Sequence, residues 1–271
     1  MLKYSYYLLV AISFIACSPK PYGIIQKKQN HKLDSLKLEL TKKEAPLLFD
    51  SLKQPIASQY IPTINFGLRK PNFVIIHHTA QDSVQQTVQT FTIERTQVSA
   101  HYIIGANGQI IQMLNDNLRS WHAGAGKWGN ITDLNSCSIG IELDNNGKET
   151  FSSSQINSLL ALLAKLKKEY NIPAANFIGH ADIAPKRKSD PSILFPWKLL
   201  SDKGFGLWYD MPDMFPPADF DVENALHRIG YNTSDFNAAI VAFKRHFVQL
   251  DLNPVMNDWD KCVLWNLYKK Y

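Results

Sequence analysis

The chain has 271 residues, of which 45% are hydrophobic and 20% are charged, and its formal net charge is +5. This length suits one large domain with a smaller module, and the composition excludes a disordered or collagen-like chain. Because the positive charge is mild and spread along the sequence, we read it as a solvated surface and expect no nucleic-acid partner.

The first residues carry a secretory pattern. Lys3 precedes an apolar stretch over residues 6–16, and Cys17 follows directly. The stretch is shorter than the roughly 20 residues of a transmembrane helix, so we interpret residues 1–16 as a signal peptide. The run Phe14-Ile15-Ala16-Cys17 resembles a bacterial lipoprotein processing site. This predicts lipidation of Cys17 and an envelope protein anchored at the periplasmic face of the outer membrane. The alternative is an ordinary cleaved signal with an incidental cysteine.

Residues 17–60 have the composition of a linker. They are rich in Lys, Gln, Ser and Leu and contain few aromatic residues, a composition that is typical of a tether. We interpret them as the connection between a lipidated N-terminus and a folded domain over residues 61–200.

Strand and helix patterns alternate through this domain. The patterns predict, in chain order, a buried strand at 73–76, a helix at 82–93 with Asp82 as its N-cap, a hairpin with strands at 100–105 and 109–113, a buried strand at 138–143, and a helix from Ser152 to about Asn171. A joint rich in glycine and proline follows. Three further helices are predicted at 219–229, 234–249 and 257–268, which make a small module over residues 218–271.

Side chains with metal-binding and acid–base chemistry fall at three places. His77 and His78 end the first strand, Glu142 lies in the apolar strand Ser138–Leu143, and a later loop contains His180 and Asp190. Two imidazoles and a carboxylate can hold zinc with one position open, and a further glutamate could act on the bound water. A carboxylate on a mostly apolar strand must be paired, protonated or poised for proton transfer. The pattern therefore predicts a zinc hydrolase.

Five segments in this order resemble the zinc-dependent N-acetylmuramoyl-L-alanine amidases, a family that shares its domain with phage-type amidases and peptidoglycan recognition proteins. The segments are IIHHTA, SAHYIIGANGQI, WHAG, SIGIEL and GHADIAPKRKSDP. The C-terminal pattern of ALHRIGY and AAIVAFKRHF resembles the peptidoglycan-binding helical module of the same enzymes. The resemblance implies an α/β fold with a mixed central sheet flanked by helices, followed by a small all-α C-terminal module.

The resemblance also implies the zinc ligands, which would be His77, His180 and Asp190. Adjacent strand residues point to opposite faces, so His78 is left with a supporting or packing role. Relatives often carry a cysteine where Asp190 stands. Asp182, a competing carboxylate in the same loop, is interpreted as a residue that caps backbone amides.

Further roles follow from the same resemblance. Glu142 would be the general base, since phage-type relatives use a tyrosine at the position of Ala100. Lys188 would stabilise the oxyanion, with a solvated lysine as the alternative. Trp121 and His122 would line the cleft and contact substrate, with a structural loop histidine as the alternative for His122.

The implied reaction is hydrolysis of the amide bond between the lactyl group of N-acetylmuramic acid and L-alanine, in peptidoglycan or muropeptides, by a protein expected to be a monomer. A non-catalytic peptidoglycan receptor on the same fold is the alternative, although such receptors have typically lost a zinc ligand. The chain departs from the family at Ser192, where relatives usually have glycine after Pro191.

Overall fold

The computed structural model describes residues 22–42, 69–211 and 214–271. The chain divides into two units, Met1–Phe66 and Gly67–Tyr271. In the first, the described residues contain helix α1 (Gly23–Lys42), which lies within the segment interpreted as a linker. The predicted signal peptide and Cys17 lie outside the described residues. Among the described helices, none is both long and apolar enough to span a membrane.

The second unit is built on a five-stranded mixed sheet, as expected. Its strands are β1 (Phe73–His78), β2 (Tyr102–Ile104), β3 (Ile110–Gln112), β4 (Ser138–Leu143) and β5 (Phe177–Gly179). They lie in the order β3-β2-β4-β1-β5, and β3 alone is antiparallel to its neighbour. The predicted hairpin is the β2–β3 pair, and Gly108 in its turn has a φ of 86°, a conformation that glycine adopts without strain.

The helices of this unit are α2 (Val84–Thr92), α3 (Ser153–Tyr170), α4 (His180–Ile183), α5 (Trp197–Asp202), α6 (Val222–Ile229), α7 (Phe236–Phe243) and α8 (Asp258–Lys270), with a π-turn at Lys244–Val248. The predicted cap of α2 is wrong by one residue. Ser83, and not Asp82, caps the helix, because its side chain accepts the backbone N–H of Gln86. Ser152 caps α3 as predicted, and the αL residue Asn171 ends it.

The two faces of the sheet carry different cores. Val74 and Ile76 of β1 and Ile139 and Ile141 of β4 face a large cluster that contains the inner side of α3 and residues of α6, α7 and α8. The opposite face packs a small cluster around Phe73, Ile75, Ala123, Leu134, Ile178 and Ile183. Because side chains alternate along a strand, His77 and Glu142 point to this second face. The small cluster on this face does not cover the carboxyl ends of β1 and β4, where a cavity remains open.

Candidate active site

Parallel pairing places the candidate ligand and the candidate base side by side. His77 at the end of β1 is the register partner of Glu142 on β4. The loop and short helix after β5 bring His180 and Asp190 to the same edge, since β5 is the other parallel neighbour of β1. All four residues line one cavity of about 420 Å³. The predicted site residues of this unit therefore meet in space.

Three donor atoms converge in this cavity. The Nδ1 of His77 lies 2.8 Å from the Nδ1 of His180 and 3.1 Å from Oδ2 of Asp190. His180 Nδ1 lies 3.0 Å from the same carboxylate oxygen. The three side chains are buried, and among the described residues they form a group with the composition and spacing of a metal site.

The ring of His180 is oriented by the loop that contains Ala123. Its Nε2 lies 3.0 Å from the carbonyl oxygen of Ala123, which can only accept a hydrogen bond, so Nε2 carries the proton and Nδ1 is free to bind a cation. Arg187 donates to the same carbonyl at 2.9 Å and to that of Ala125 at 2.7 Å. The guanidinium therefore fixes the loop that orients the ligand.

The electrostatics of the site favour the forms that bind a metal. Burial and the neighbouring His180 lower the pKa of His77 to about 4, which keeps its imidazole neutral. Burial alone would raise the pKa of Asp190, but the His180 and His77 rings beside the carboxylate outweigh it and hold the pKa below the usual range. Neutral imidazole and ionised carboxylate are the ligand forms of these residues.

The donor set fits zinc. Ligand bonds of about 2.0–2.1 Å in a tetrahedral shell place donor atoms roughly 3.3 Å apart. The three observed separations, 2.8 to 3.1 Å, are slightly shorter than that. Two nitrogen lone pairs that face each other and a carboxylate are an unfavourable arrangement by themselves, and a divalent cation between them would remove the conflict. The side facing the cavity is open, as in catalytic zinc sites.

Glu142 has the environment of an acid–base residue. Burial and the nearby charge of Asp190 raise its pKa to about 8, although the charge of Lys188 acts in the opposite direction. A carboxyl whose pKa lies near neutrality can both accept and return a proton at physiological pH. A cation at the adjacent donor group would favour the ionised form.

The remaining predicted residues also line the cavity. Lys188 is half-buried at its wall and Trp121 is 39% exposed at its rim. His122 is buried beneath His77, and its two ring nitrogens lie 3.1 Å from Nε2 of His77 and 3.1 Å from Oγ of Ser138. The expected substrate contacts of Trp121 and His122 stay predictions.

The loop from His180 to Asp190 contains a residue whose full role the sequence did not predict. Asp182 accepts the backbone N–H of Gly179 at 2.7 Å, which confirms that it caps an amide. It also binds two residues of the C-terminal segment, Tyr231 through its hydroxyl at 2.8 Å and His246 through Nδ1 at 2.8 Å. No local pattern signals these contacts, because the partners lie 49 and 64 residues away in the chain.

His78 has the supporting role that was expected. Its Nδ1 accepts the backbone N–H of Ser192 at 3.2 Å. Its ring occupies the space where a side chain at Gly147 would lie, since a Cβ there would be 2.6 Å from Cε1 of His78. Ser192, where the family resemblance implies a glycine, is therefore held by the histidine next to the first candidate ligand.

Comparison with known proteins gives a consistent result. The family described as N-acetylmuramoyl-L-alanine amidase matches residues 67–193. The sequence is 33% identical over 230 residues to the N-acetylmuramoyl-L-alanine amidase AmiD of Escherichia coli K12, covering 73% of this chain and 82% of AmiD.

Two solved structures share the fold. The first is E. coli AmiD in complex with the substrate anhydro-N-acetylmuramic acid-L-Ala-D-gamma-Glu-L-Lys, with a TM-score of 0.68, 31% identity, and coverage of 78% of this chain and 93% of that one. The second is AmpDh3 of Pseudomonas aeruginosa in complex with anhydromuramic pentapeptide, with a TM-score of 0.67, 30% identity, and coverage of 83% and 99%. On this evidence the chain belongs to the N-acetylmuramoyl-L-alanine amidase family.

Proposed function

We propose that this protein hydrolyses the amide bond between the lactyl group of N-acetylmuramic acid and L-alanine, in peptidoglycan or its soluble fragments. The observation that carries the proposal is the convergence of His77, His180 and Asp190 with Glu142 in one cavity. Family membership and the fold shared with AmiD and AmpDh3, whose structures hold anhydromuramic peptides, support it.

We further propose that the site works with zinc, held by Nδ1 of His77, Nδ1 of His180 and a carboxylate oxygen of Asp190. Zinc in such a site supplies Lewis-acid chemistry, which lowers the pKa of water and polarises the amide carbonyl. Two imidazoles and one carboxylate are among the donor sets that catalytic zinc sites use with an open fourth position.

Two residues of the chain would transfer the proton and stabilise the negative charge of the reaction. Glu142 would take a proton from the attacking water and return it to the amine of L-alanine as the amide bond breaks. Burial raises the pKa of Glu142 to about 8 in the metal-free site, and a cation at the adjacent donors would favour the ionised form that the first step needs. Lys188, on the same cavity wall, would place a positive charge near the oxyanion that develops on the carbonyl oxygen.

The test measures release of free stem peptide from a defined muropeptide by the purified full-length protein. We expect release to stop in chelator and to return on addition of zinc. We expect Glu142→Gln to lower kcat by about 10²–10⁴-fold, the usual loss when a general base is removed. Release that persists in chelator, or at the wild-type rate in Glu142→Gln, would disprove the mechanism, and binding without release would indicate a receptor.

Two matched controls make this assay specific. Glu149→Gln changes an exposed carboxyl in the loop that follows β4 and should leave kcat unchanged. Lys188→Met should lower kcat, whereas Lys186→Met, which changes an exposed lysine paired with Asp235 at 3.7 Å, should not. Equal losses in both lysine variants would remove Lys188 from the mechanism.

We also propose that Cys17 is lipidated and anchors the protein to the outer membrane on its periplasmic face. The support is the sequence pattern alone, in which a basic residue and a short apolar run precede the cysteine. In a Gram-negative host, the wild-type protein should fractionate with the outer membrane and Cys17→Ala should not. Identical fractionation of the two would contradict the proposal.

A further inference from the structure

We propose that His122 is a positioning residue that holds His77 in the tautomer able to bind the metal. This inference rests on the proposed metal site and deepens it. His122 lies between His77 and β4, and the residue is 8% exposed, with both ring nitrogens directed at protein groups. The family resemblance implies a substrate contact at this position instead.

A chain of three hydrogen bonds leads from the candidate metal site into the protein. Nε2 of His77 is 3.1 Å from Nδ1 of His122, and Nε2 of His122 is 3.1 Å from Oγ of Ser138. Oγ of Ser138 is 2.5 Å from the carbonyl oxygen of Leu134. Each group lies within hydrogen-bond reach of the next, so the chain is continuous.

The carbonyl at the far end fixes the direction of every bond in this chain. The oxygen of Leu134 can only accept, so the hydroxyl of Ser138 donates to it. Ser138 Oγ is then left to accept the proton carried on Nε2 of His122. A neutral imidazole has a single N–H, so Nδ1 of His122 must accept, and the donor is Nε2–H of His77. His77 therefore directs an unprotonated Nδ1 toward His180 and Asp190.

Glycine at residue 140 provides the space for the ring of His122, and hydrogen bonds to Asn135 hold its backbone in place. A Cβ at residue 140 would lie 2.4 Å from Cγ of His122, a distance that side chains do not tolerate, so only glycine allows the ring to pack against β4. The backbone N–H groups of His122 and Ala123 both donate to Oδ1 of Asn135, at 3.1 and 2.9 Å. Backbone and ring are thus held independently of any ligand.

The two histidines among the candidate ligands are oriented by different means. His180 donates Nε2–H to a backbone carbonyl, that of Ala123, which no side-chain substitution removes. The N–H of His77 is instead accepted by a side chain, because its Nε2 faces His122. Partners of this kind typically change metal affinity by 10–100-fold when they are lost. His122 is therefore a place where the affinity of the site can be changed without altering a ligand.

Two variants separate the hydrogen bond from the packing of the ring. His122→Phe keeps a ring of similar size against Gly140 and removes the acceptor. His122→Asn is smaller but can present Oδ1 to His77 Nε2–H. Zinc affinity is measured on the full-length proteins by competition with a chromophoric chelator, without substrate. We expect His122→Phe to weaken zinc binding by about 10–100-fold, and His122→Asn to recover most of this loss.

A second measurement reads the tautomer itself. Long-range ¹H–¹⁵N correlation spectra of the metal-free protein should show His77 protonated at Nε2 in the wild type and partly at Nδ1 in His122→Phe. Loss of packing alone would leave the tautomer unchanged. Wild-type zinc affinity in His122→Phe, or equal weakening in both variants, would overturn the role of His122. Failure of the wild-type protein to bind zinc would instead overturn the proposed metal site.

Discussion

At the scale of single residues, Glu142 and Asp190 share one cavity but hold their protons very differently. Oδ2 of Asp190 lies within 3.1 Å of the Nδ1 atoms of two imidazoles, whereas Glu142 is buried on an apolar strand with Asp190 as a nearby negative charge. Two carboxyls whose environments drive their pKa values apart can take separate tasks, one as a permanent ligand and one as a proton carrier. The contrast is a property of the pair and not of either residue alone.

The raised pKa of Glu142 has a measurable effect on the metal-free protein. Below about pH 4.5 the carboxyl is protonated in both folded and unfolded chains. Between that pH and about 8 only the unfolded chain ionises, so the free energy of unfolding falls as pH rises, by about 5 kcal/mol in all. Glu142→Gln removes this loss, and the variant should gain stability relative to wild type across that range.

Urea unfolding of both metal-free proteins between pH 4.5 and 8.5 tests this expectation. The other titrating groups of the site remain in the variant, so their pH dependence largely cancels in the difference between the two proteins. A difference in unfolding free energy that stays constant with pH would show that Glu142 has an ordinary pKa in the folded protein.

At the scale of elements, strand β4 serves both chemistry and packing. Its inner face contributes Ile139, Ile141 and Leu143 to the main core, while its other face presents Ser138, Gly140 and Glu142 to the site. Gly140→Ala would push a methyl group into the ring of His122. We expect a loss of about 1–3 kcal/mol in unfolding free energy, which is typical of overpacking, together with weaker zinc binding.

A double-mutant cycle identifies the cause of that loss. His122→Ala removes the ring, so Gly140→Ala should cost much less in the His122→Ala background than in wild type. If the two substitutions were additive, the destabilisation would come from backbone effects in β4, and the close approach of the ring would not explain the glycine.

Much of this architecture is predictable from sequence because it depends on local patterns. Alternation along Ser138–Leu143 correctly assigns Glu142 to the face away from the main core, and Asn107-Gly108 identifies the hairpin. The candidate ligands are recognised because five short motifs occur in a fixed order. The cap of α2 is less determined, since Asp82 and Ser83 are adjacent and both residue types cap helices well.

The contacts that hold the site together are not predictable in this way. His122 is 45 residues from His77 and 16 from Ser138, so nothing local distinguishes a positioning histidine from one that contacts substrate. In the sequence, Gly140 resembles an ordinary strand glycine, and only the folded structure shows that the ring of His122 packs against it. These roles depend on tertiary neighbours, which one sequence does not identify.

At the scale of the whole second unit, the C-terminal helices belong to the scaffold of the site. Residues of α6, α7 and α8 share the main core with the sheet and α3. His246 stacks on Trp197 with ring centroids 3.9 Å apart, and Gln249 donates to the carbonyls of Ile193 and Phe195. Tyr231 and His246 bind Asp182, two residues after His180. Whether the helices also bind glycan stays a prediction.

Tyr231→Phe tests this coupling with the removal of one oxygen atom. Asp182 would lose a buried hydrogen bond, and we expect unfolding free energy to fall by about 1–3 kcal/mol. Zinc affinity should also fall, because Asp182 lies within the loop that carries two of the candidate ligands. Tyr268→Phe, a change in α8 where the ring stacks on Trp265, is the control. Unchanged zinc binding in Tyr231→Phe would indicate that the helices do not influence the site.

The separation of the candidate ligands along the chain gives the site a use beyond catalysis. His77 and Asp190 are 113 residues apart and meet only when β1 has paired correctly with both of its parallel neighbours. A register slip of one residue in β1 would turn His77 to the opposite face of the sheet. No short fragment and no mispaired sheet can assemble the three donors. The molar ratio of tightly bound metal to protein in a preparation would therefore report the fraction of molecules that have folded correctly.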